Sequence, residues 1–288
     1  MKETFRREAP AKINLALDIL GKRPDGYHAL CSIMQTVSLC DSVELSEGGE
    51  GFTLSMAGFA PPEGRKTLEQ RAAEAFFARL GRAMPPLTVR IAKRTPAYAG
   101  LGGGSADVAA LLRILRDRYA PEMEDTTLES IGAEVGSDMP FCLRGGTALA
   151  EGRGEILTDL PPLPDCWIVL CKPPFPIPTP MLFARADSVA IRHRPDIPGM
   201  RKALENGDLE GVAGRLGNVF EEVLPPECGA VFAIWDALLA AGALGAGMSG
   251  SGPTVFGIFR EEGLARAAQK KTLPLGESYA VRPLGKLT

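Results

Sequence analysis

The sequence predicts an α+β protein built as two domains, and three observations carry that prediction. The chain has 288 residues, roughly twice the ~150 that serve as a one-domain guide. Strand-like alternation is interleaved with helix-like periodicity in both halves. A proline-rich stretch, Leu160 to Pro164, favours neither a helix nor a central strand. The expected division is therefore 1–160 and 161–288, with an α+β sandwich in each part.

Taken in order, Ile13, Leu15, Leu17 and Ile19 alternate with Lys12, Asn14, Ala16 and Asp18, as in a strand with one buried face. Lys12 and Asn14 then share the other face. Pro24-Asp25-Gly26 marks a sharp reversal between Arg23 and His28, and Val37 to Leu45 reads as a second strand. Leu68, Ala72, Ala73, Phe76, Phe77 and Leu80 recur at helical spacing behind Thr67 and Gln70, a capping-box pair. Leu87, Val89 and Ile91 alternate as a strand that runs into a glycine-rich loop, and Val108, Leu111, Leu112 and Leu115 mark the helix beyond it. The second half gives a strand at Trp167 to Cys171, a proline-rich loop from Pro173 to Pro180, helical segments, and a helix around Val231. A second glycine loop, a strand from Thr254 to Phe259, and a final helix and strand complete it.

Composition narrows the chemistry. Thirty-two Lys and Arg against 35 Asp and Glu give a net charge of −3, which does not suggest a nucleic-acid binder held by a basic surface. Any anionic ligand must be held by local geometry. There are only two histidines, His28 and His193, so a multi-histidine metal site is excluded. The six cysteines show no CxxC spacing and mostly sit in apolar stretches, which points to a reducing, cytoplasmic setting. The charged N-terminus does not read as a signal peptide. The apolar stretch from Ala230 to Met248 is broken by Asp236 and several glycines, so no membrane span is expected.

Gly100-Leu101-Gly102-Gly103-Gly104-Ser105-Ala106 lies between a predicted strand and a predicted helix. Glycines let backbone N–H groups turn inward, and a helix N-terminus favours negative charge, so the segment suits phosphate. It is neither a Walker A loop nor a good dinucleotide fingerprint, and a ligand-free turn would look the same. Gly245 to Pro253 forms the second glycine segment, which alone reads as a flexible connector. Lys12 alone reads as a solvated charge, and Asp138 as a turn aspartate bonding its own backbone. Tyr27 and His28 offer a stacking surface beside a hydrogen-bonding edge, as base recognition requires, or simply fill a surface turn. His193, inside Arg192-His193-Arg194, reads as solvated.

Pro10-Ala11-Lys12-Ile13-Asn14-Leu15, the Gly100 loop and Met248-Ser249-Gly250-Ser251-Gly252-Pro253-Thr254 together resemble the three ordered motifs of the GHMP small-molecule kinases. Arg23-Pro24-Asp25-Gly26-Tyr27-His28, Gly136-Ser137-Asp138-Met139-Pro140-Phe141 and Ile177-Pro178-Thr179-Pro180 extend the resemblance along nearly the whole chain. They narrow it to the branch that acts on a cytidylyl-bearing polyol of the non-mevalonate route to isoprenoid precursors. The resemblance implies a two-domain GHMP kinase fold with its active site in the cleft. It implies transfer of the ATP γ-phosphoryl group to the 2-hydroxyl of the methylerythritol moiety, with Mg²⁺ on the β and γ oxygens. ATP and the cytidylyl substrate are the partners it implies, with neither nucleic acid nor membrane, in a monomer or homodimer.

The resemblance also implies roles. Asp138 takes the place of the catalytic base and Lys12 that of the lysine paired with it. Pro96, Gly100, Leu101, Gly102, Gly103, Gly104, Ser105 and Ala106 fall on the ATP side. Asn14, Tyr27, His28, Thr179, Phe183, Gly247, Ser249, Gly250, Ser251 and Gly252 fall on the substrate side, with Tyr27 and His28 holding the cytosine and Phe183 covering its other face. Three positions depart from the family pattern. Thr67 replaces an asparagine of the adenine pocket, Tyr98 stands where a small residue is usual, and Ala106 replaces a second serine. A GHMP kinase for mevalonate or homoserine is the nearest alternative, but an aromatic clamp serves no purpose on a substrate without a base. A non-catalytic nucleotide binder would not need both Lys12 and Asp138.

Overall fold

In the computed structural model, which describes residues 3–57 and 64–287, the alternating segment around Ile13 is the middle of a 19-residue strand, β1 (Thr4–Lys22). After the Pro24-Asp25-Gly26 reversal the chain returns antiparallel to it as β2 (His28–Glu47). β3 (Phe52–Met56), α1 (Leu68–Arg79), β4 (Leu87–Ala92), α2 (Gly103–Tyr119), α3 (Asp125–Val135), α4 (Met139–Arg144), β5 (Thr147–Gly152) and β6 (Ile156–Asp159) follow. β2 is long enough to serve two neighbours: its first half pairs with β5, its second with β4. The sheet runs β3-β4-β2-β1, with β5 and β6 continuing from the other end of β2.

Beyond the proline-rich stretch come β7 (Trp167–Lys172), α5 (Thr179–Ser188), α6 (Ile197–Glu205), α7 (Leu209–Ala213), β8 (Gly217–Asn218), α8 (Gly229–Ala240), β9 (Gly245–Met248), β10 (Val255–Phe259), α9 (Glu262–Thr272) and β11 (Glu277–Val281). Four of these strands form an antiparallel sheet ordered β11-β7-β10-β9. The short β8 adds to the first sheet, parallel to β1, so the chain crosses back after leaving it.

Among the described residues three large hydrophobic clusters fill the molecule, beside a small one of Met34, Phe141, Ala148 and Ala150. Phe76, Val89, Leu111 and Leu115 belong to the one between α1, α2 and the first sheet. Val231, Ile234, Leu238 and Phe259 belong to the one behind the second sheet. A third joins Ile13, Leu15 and Ile33 of the first sheet to Ile168, Leu170 and Phe256 of the second. This shared cluster covers Ala11, Ile13 and Leu15, while Lys12 and Asn14 on the other face are buried as well, so both faces of the strand are buried from Ala9 to Ile19, where a single buried face was expected.

Local signals translate directly in several places. Thr67 Oγ1 accepts the Gln70 N–H at 3.2 Å and caps α1. Only half the capping box forms, because the Gln70 amide donates instead to Glu74 one turn on. Val231, Ile234 and Leu238 are buried on α8, while Leu239 is exposed. The second glycine segment differs from expectation: Gly245–Met248 is strand β9, not loop. A β-carbon at Gly245 would lie 2.2 Å from the Ala213 carbonyl oxygen, so glycine there permits close backbone packing. All six cysteines are free, and burial pushes the Cys40 and Cys171 thiols up to about 11. Among the described residues no helix is long and apolar enough to cross a membrane.

Candidate active site

The two glycine loops meet over β1. Lys12 N donates to the Leu101 carbonyl at 2.9 Å. Ser249 Oγ donates to the Gly100 carbonyl at 2.9 Å and lies 3.2 Å from Asn14 N, which donates to it. Gly100 has φ +74, and a β-carbon there would meet the Ser249 carbonyl oxygen at 2.1 Å. The second loop is therefore a fixed wall rather than a flexible connector. Asn218 on β8 holds it from behind, donating to the carbonyls of Met248 and Gly250 at 2.8 and 2.7 Å.

Gly102, at φ +66, is the N-cap of α2. The first helical bond runs from Ala106 N to the Gly102 carbonyl at 2.9 Å, so the N–H groups of Gly103, Gly104 and Ser105 precede the helical ladder. Three donors at the positive end of a 17-residue helix form an anion cradle. Its base is braced by Lys93, just after β4, whose ammonium bonds Asp107 in the second turn of α2 at 2.7 Å and also Asp41 on β2. Asp41 accepts the N–H groups of Arg94 and Thr95 as well. Two carboxylates thus share one ammonium, and burial pushes the less solvated-by-donors one, Asp107, up to about 7.

Lys12 is only 4% exposed and Asn14 only 2%, so neither is a solvated surface residue. The Lys12 stem lies under Gly102, where a β-carbon would approach Cγ to 2.9 Å. Its ammonium donates to Asn14 Oδ1 at 2.7 Å and pairs with Asp138 Oδ2 at 3.3 Å. Asn14 is fixed in turn by donating to Ser32 Oγ at 2.8 Å. Asp138 stands at the N-cap of α4 but makes no capping bond to its backbone, so it is not a self-bonded turn aspartate. Its carboxylate is left for Lys12 and for whatever enters.

What enters has a cavity of about 770 Å³, lined by Lys12, Asn14, Asp138, Gly100, Gly102, Gly250, Ser251 and Thr179 and also by Tyr27, His28 and Phe183. Thr179 and Ser251 hydroxyls meet at 2.7 Å across its rim. The aromatic arrangement differs from expectation. The imidazole of His28 stacks on Phe183, centroids 4.5 Å apart at 17°. A base between those rings would need roughly 7 Å, two stacking spacings. The Phe183 face assigned to the base is therefore taken by His28, and Tyr27, 56% exposed with the Arg153 guanidinium 5.1 Å over its ring, is the open stacking surface.

Other assigned residues sit behind the cavity. Gly247 lies within β9, opposite Phe256, and the Ser249 side chain is fully buried, so both shape the wall rather than touch its contents. Leu101 and Ala106 point into the core, and the missing hydroxyl at position 106 would face that core. Pro96 is half-buried at the start of the loop. Gly252 borders a second cavity, about 560 Å³, with Tyr98, Gly100 and the Pro176–Pro180 stretch. Tyr98 has φ +51 and is 79% exposed. Sequence reading passed over Asp187, which bonds His28, and Asn218. Asp187 had a signal, since it lies four residues after Phe183, one helical turn away.

Comparison with known proteins fits this geometry. The family profile described as GHMP kinases N terminal domain matches residues 67–146, and that described as GHMP kinases C terminal matches residues 200–272. A 4-diphosphocytidyl-2-C-methyl-D-erythritol kinase of Listeria monocytogenes serotype 4a (strain HCC23) is 40% identical over 281 residues, covering 96% of this chain and 94% of the relative. The chain belongs to the 4-diphosphocytidyl-2-C-methyl-D-erythritol kinase family. A member of that family from Geobacillus kaustophilus (strain HTA426) is 39% identical over 286 residues, covering 97% of each chain. A crystal structure of a 4-(cytidine 5'-diphospho)-2C-methyl-D-erythritol kinase superposes with a TM-score of 0.81 at 30% identity, covering 98% of this chain and all of the other. A homoserine kinase from Cytophaga hutchinsonii, at 17% identity and a TM-score of 0.76 over 99% of this chain and 96% of its own, shares the fold. Like other GHMP kinases, the chain is an ATP-dependent phosphotransferase.

Proposed function

We propose that this kinase transfers the γ-phosphoryl group of ATP to the 2-hydroxyl of 4-diphosphocytidyl-2-C-methyl-D-erythritol, giving the 2-phosphate and ADP. The observation that carries the reading is one cavity holding both a Lys12–Asp138 pair, at 3.3 Å, and the Tyr27–His28 turn. An alcohol is a poor nucleophile until its proton is taken. Asp138 accepts that proton as the oxygen attacks phosphorus, and Lys12, 3.3 Å away, orients the carboxylate. The N–H groups of Gly103, Gly104 and Ser105 hold the phosphates while charge shifts toward ADP.

Mg²⁺ belongs to the same proposal. Among the described residues no group of three or more His, Cys, Asp or Glu converges to hold a metal. The ion would be carried by the ATP phosphates, whose oxygens, with water, would supply most of its ligands and whose negative charge it would neutralise. The division near residue 160, with the phosphate loop and Lys12–Asp138 before it and Phe183 and the second glycine loop after it, belongs to this reading, as does a cytoplasmic setting.

Incubating the protein with Mg-ATP and the cytidylyl substrate, with mevalonate and homoserine in parallel, tests the proposal. ADP release should require the cytidylyl alcohol. Turnover of mevalonate or homoserine in its place would overturn the substrate, and no turnover of any alcohol would overturn the kinase reading.

A further inference from the structure

His28 is one of only two histidines in the chain, and its side chain is 9% exposed. Nε2 lies 2.7 Å from Asp187 Oδ1. Helix α5 presents Phe183 and Asp187 one turn apart, so the ring stacks on the imidazole while the carboxylate takes its edge. Lys22, the register partner of His28 across the β1–β2 turn, sits 3.7 Å from the other Asp187 oxygen. The hydrogen bond from His28 holds the Asp187 carboxyl below the usual carboxylate range.

An ionised carboxylate only accepts hydrogen bonds, so the proton of a neutral imidazole must reside on Nε2. Nδ1 is then a lone-pair acceptor, and no described residue bonds to it. His28 lines the cavity. Cytosine and uracil have the same ring outline and differ at position 4, where cytosine offers an amino donor and uracil a carbonyl acceptor. An acceptor on His28 pairs with the first and faces the second lone pair to lone pair. We infer that Asp187 is a positioning residue that fixes the tautomer of His28, so that the protein selects a cytosine base over uracil. This rests on the reading of the cavity as a cytidylyl site. Without Asp187, the imidazole could shift its proton to Nδ1 and satisfy either base.

Calorimetric titration with cytidine diphosphate and uridine diphosphate, on the wild type, Asp187→Ala and Asp187→Asn, provides the test. The wild type should favour the cytidine ligand, and each substitution should reduce that preference about tenfold or more. The KM for ATP should not move. Nitrogen-15 NMR of the two imidazoles gives a readout that loss of packing alone would not mimic: the wild type should show His28 protonated at Nε2, and Asp187→Ala a mixture. An Nδ1-protonated His28 in the wild type, or an unchanged preference in a folded variant, overturns the inference. Wild-type turnover of the cytidylyl alcohol separates the two levels. If it is present without base preference, the role of Asp187 falls and the kinase reading stands; if it is absent, the kinase reading falls first.

Discussion

Gly100→Ala tests whether the two glycine loops form one rigid wall. A β-carbon at this position would lie 2.1 Å from the Ser249 carbonyl oxygen and 3.0 Å from Gly252 N. An ordinary carbon–oxygen contact is about 3.3 Å, so one loop must retreat by roughly 1 Å. Both neighbours are backbone, and neither has a rotamer by which to yield. A misplacement of about 1 Å in a positioned site costs about 10²-fold in rate, equivalent to ~2.7 kcal/mol of barrier. A left-handed φ of +74 adds ~1 kcal/mol of destabilisation for any β-carbon. Gly104→Ala is the control, because nothing lies within 4 Å of its β-carbon position. Steady-state kinetics with the cytidylyl substrate and ATP, beside thermal melts, should show Gly100→Ala with kcat/KM reduced about 100-fold. Gly104→Ala should keep its melting temperature, with any kinetic effect confined to ATP. Wild-type kcat/KM in Gly100→Ala would refute the interlocked wall.

Four further outcomes follow from single contacts. Asp138→Asn should reduce kcat by ~10²–10⁴-fold and leave the melting temperature nearly unchanged, since Asp138 makes no capping bond; near-normal turnover would eliminate it as the base. His28→Ala should raise the KM for the cytidylyl substrate far more than that for ATP, and equal changes would remove it from base recognition. Thr67→Ala deletes the 3.2 Å cap of α1 and should lower stability by ~1 kcal/mol in denaturant titration, with kinetics preserved. Asp107 keeps its proton to about 7 in the fold against 3.8 unfolded, so native stability should fall as pH rises between those values. Asp107→Asn lacks that dependence, and from pH 5 to 8 its stability relative to wild type should rise by roughly 2 kcal/mol; parallel pH profiles would contradict this.

Much of the fold was legible because it is written locally. Ile13 to Ile19 carry a two-residue period, Val108 to Leu115 and Val231 to Leu238 a helical one, and Pro24-Asp25-Gly26 a turn. The strands that escaped, β3, β5 and β6 among them, are short and take their form from neighbours. β5 exists as a strand because the long β2 offers it an unpaired flank. Gly245 to Met248 looked like loop because glycine is a poor strand former, yet the nearby Ala213 carbonyl leaves room for nothing larger.

The site divides in the same way. By itself the sequence determined the chemical inventory: a glycine run opening a helix, a lysine and an aspartate 126 positions apart, and a Tyr-His turn, in an order that resembles one kinase family. Only the tertiary structure decided what those groups do to one another. It buried Lys12, which on its own reads as a solvated charge, because the first glycine loop closes over its side chain at Gly102. It brought Asp138 to 3.3 Å from Lys12 and laid His28 on Phe183 with Asp187 at its edge. The physical reason is that backbone periodicity is a property of neighbouring residues. Desolvation, ion pairing and stacking depend on which distant segments pack together.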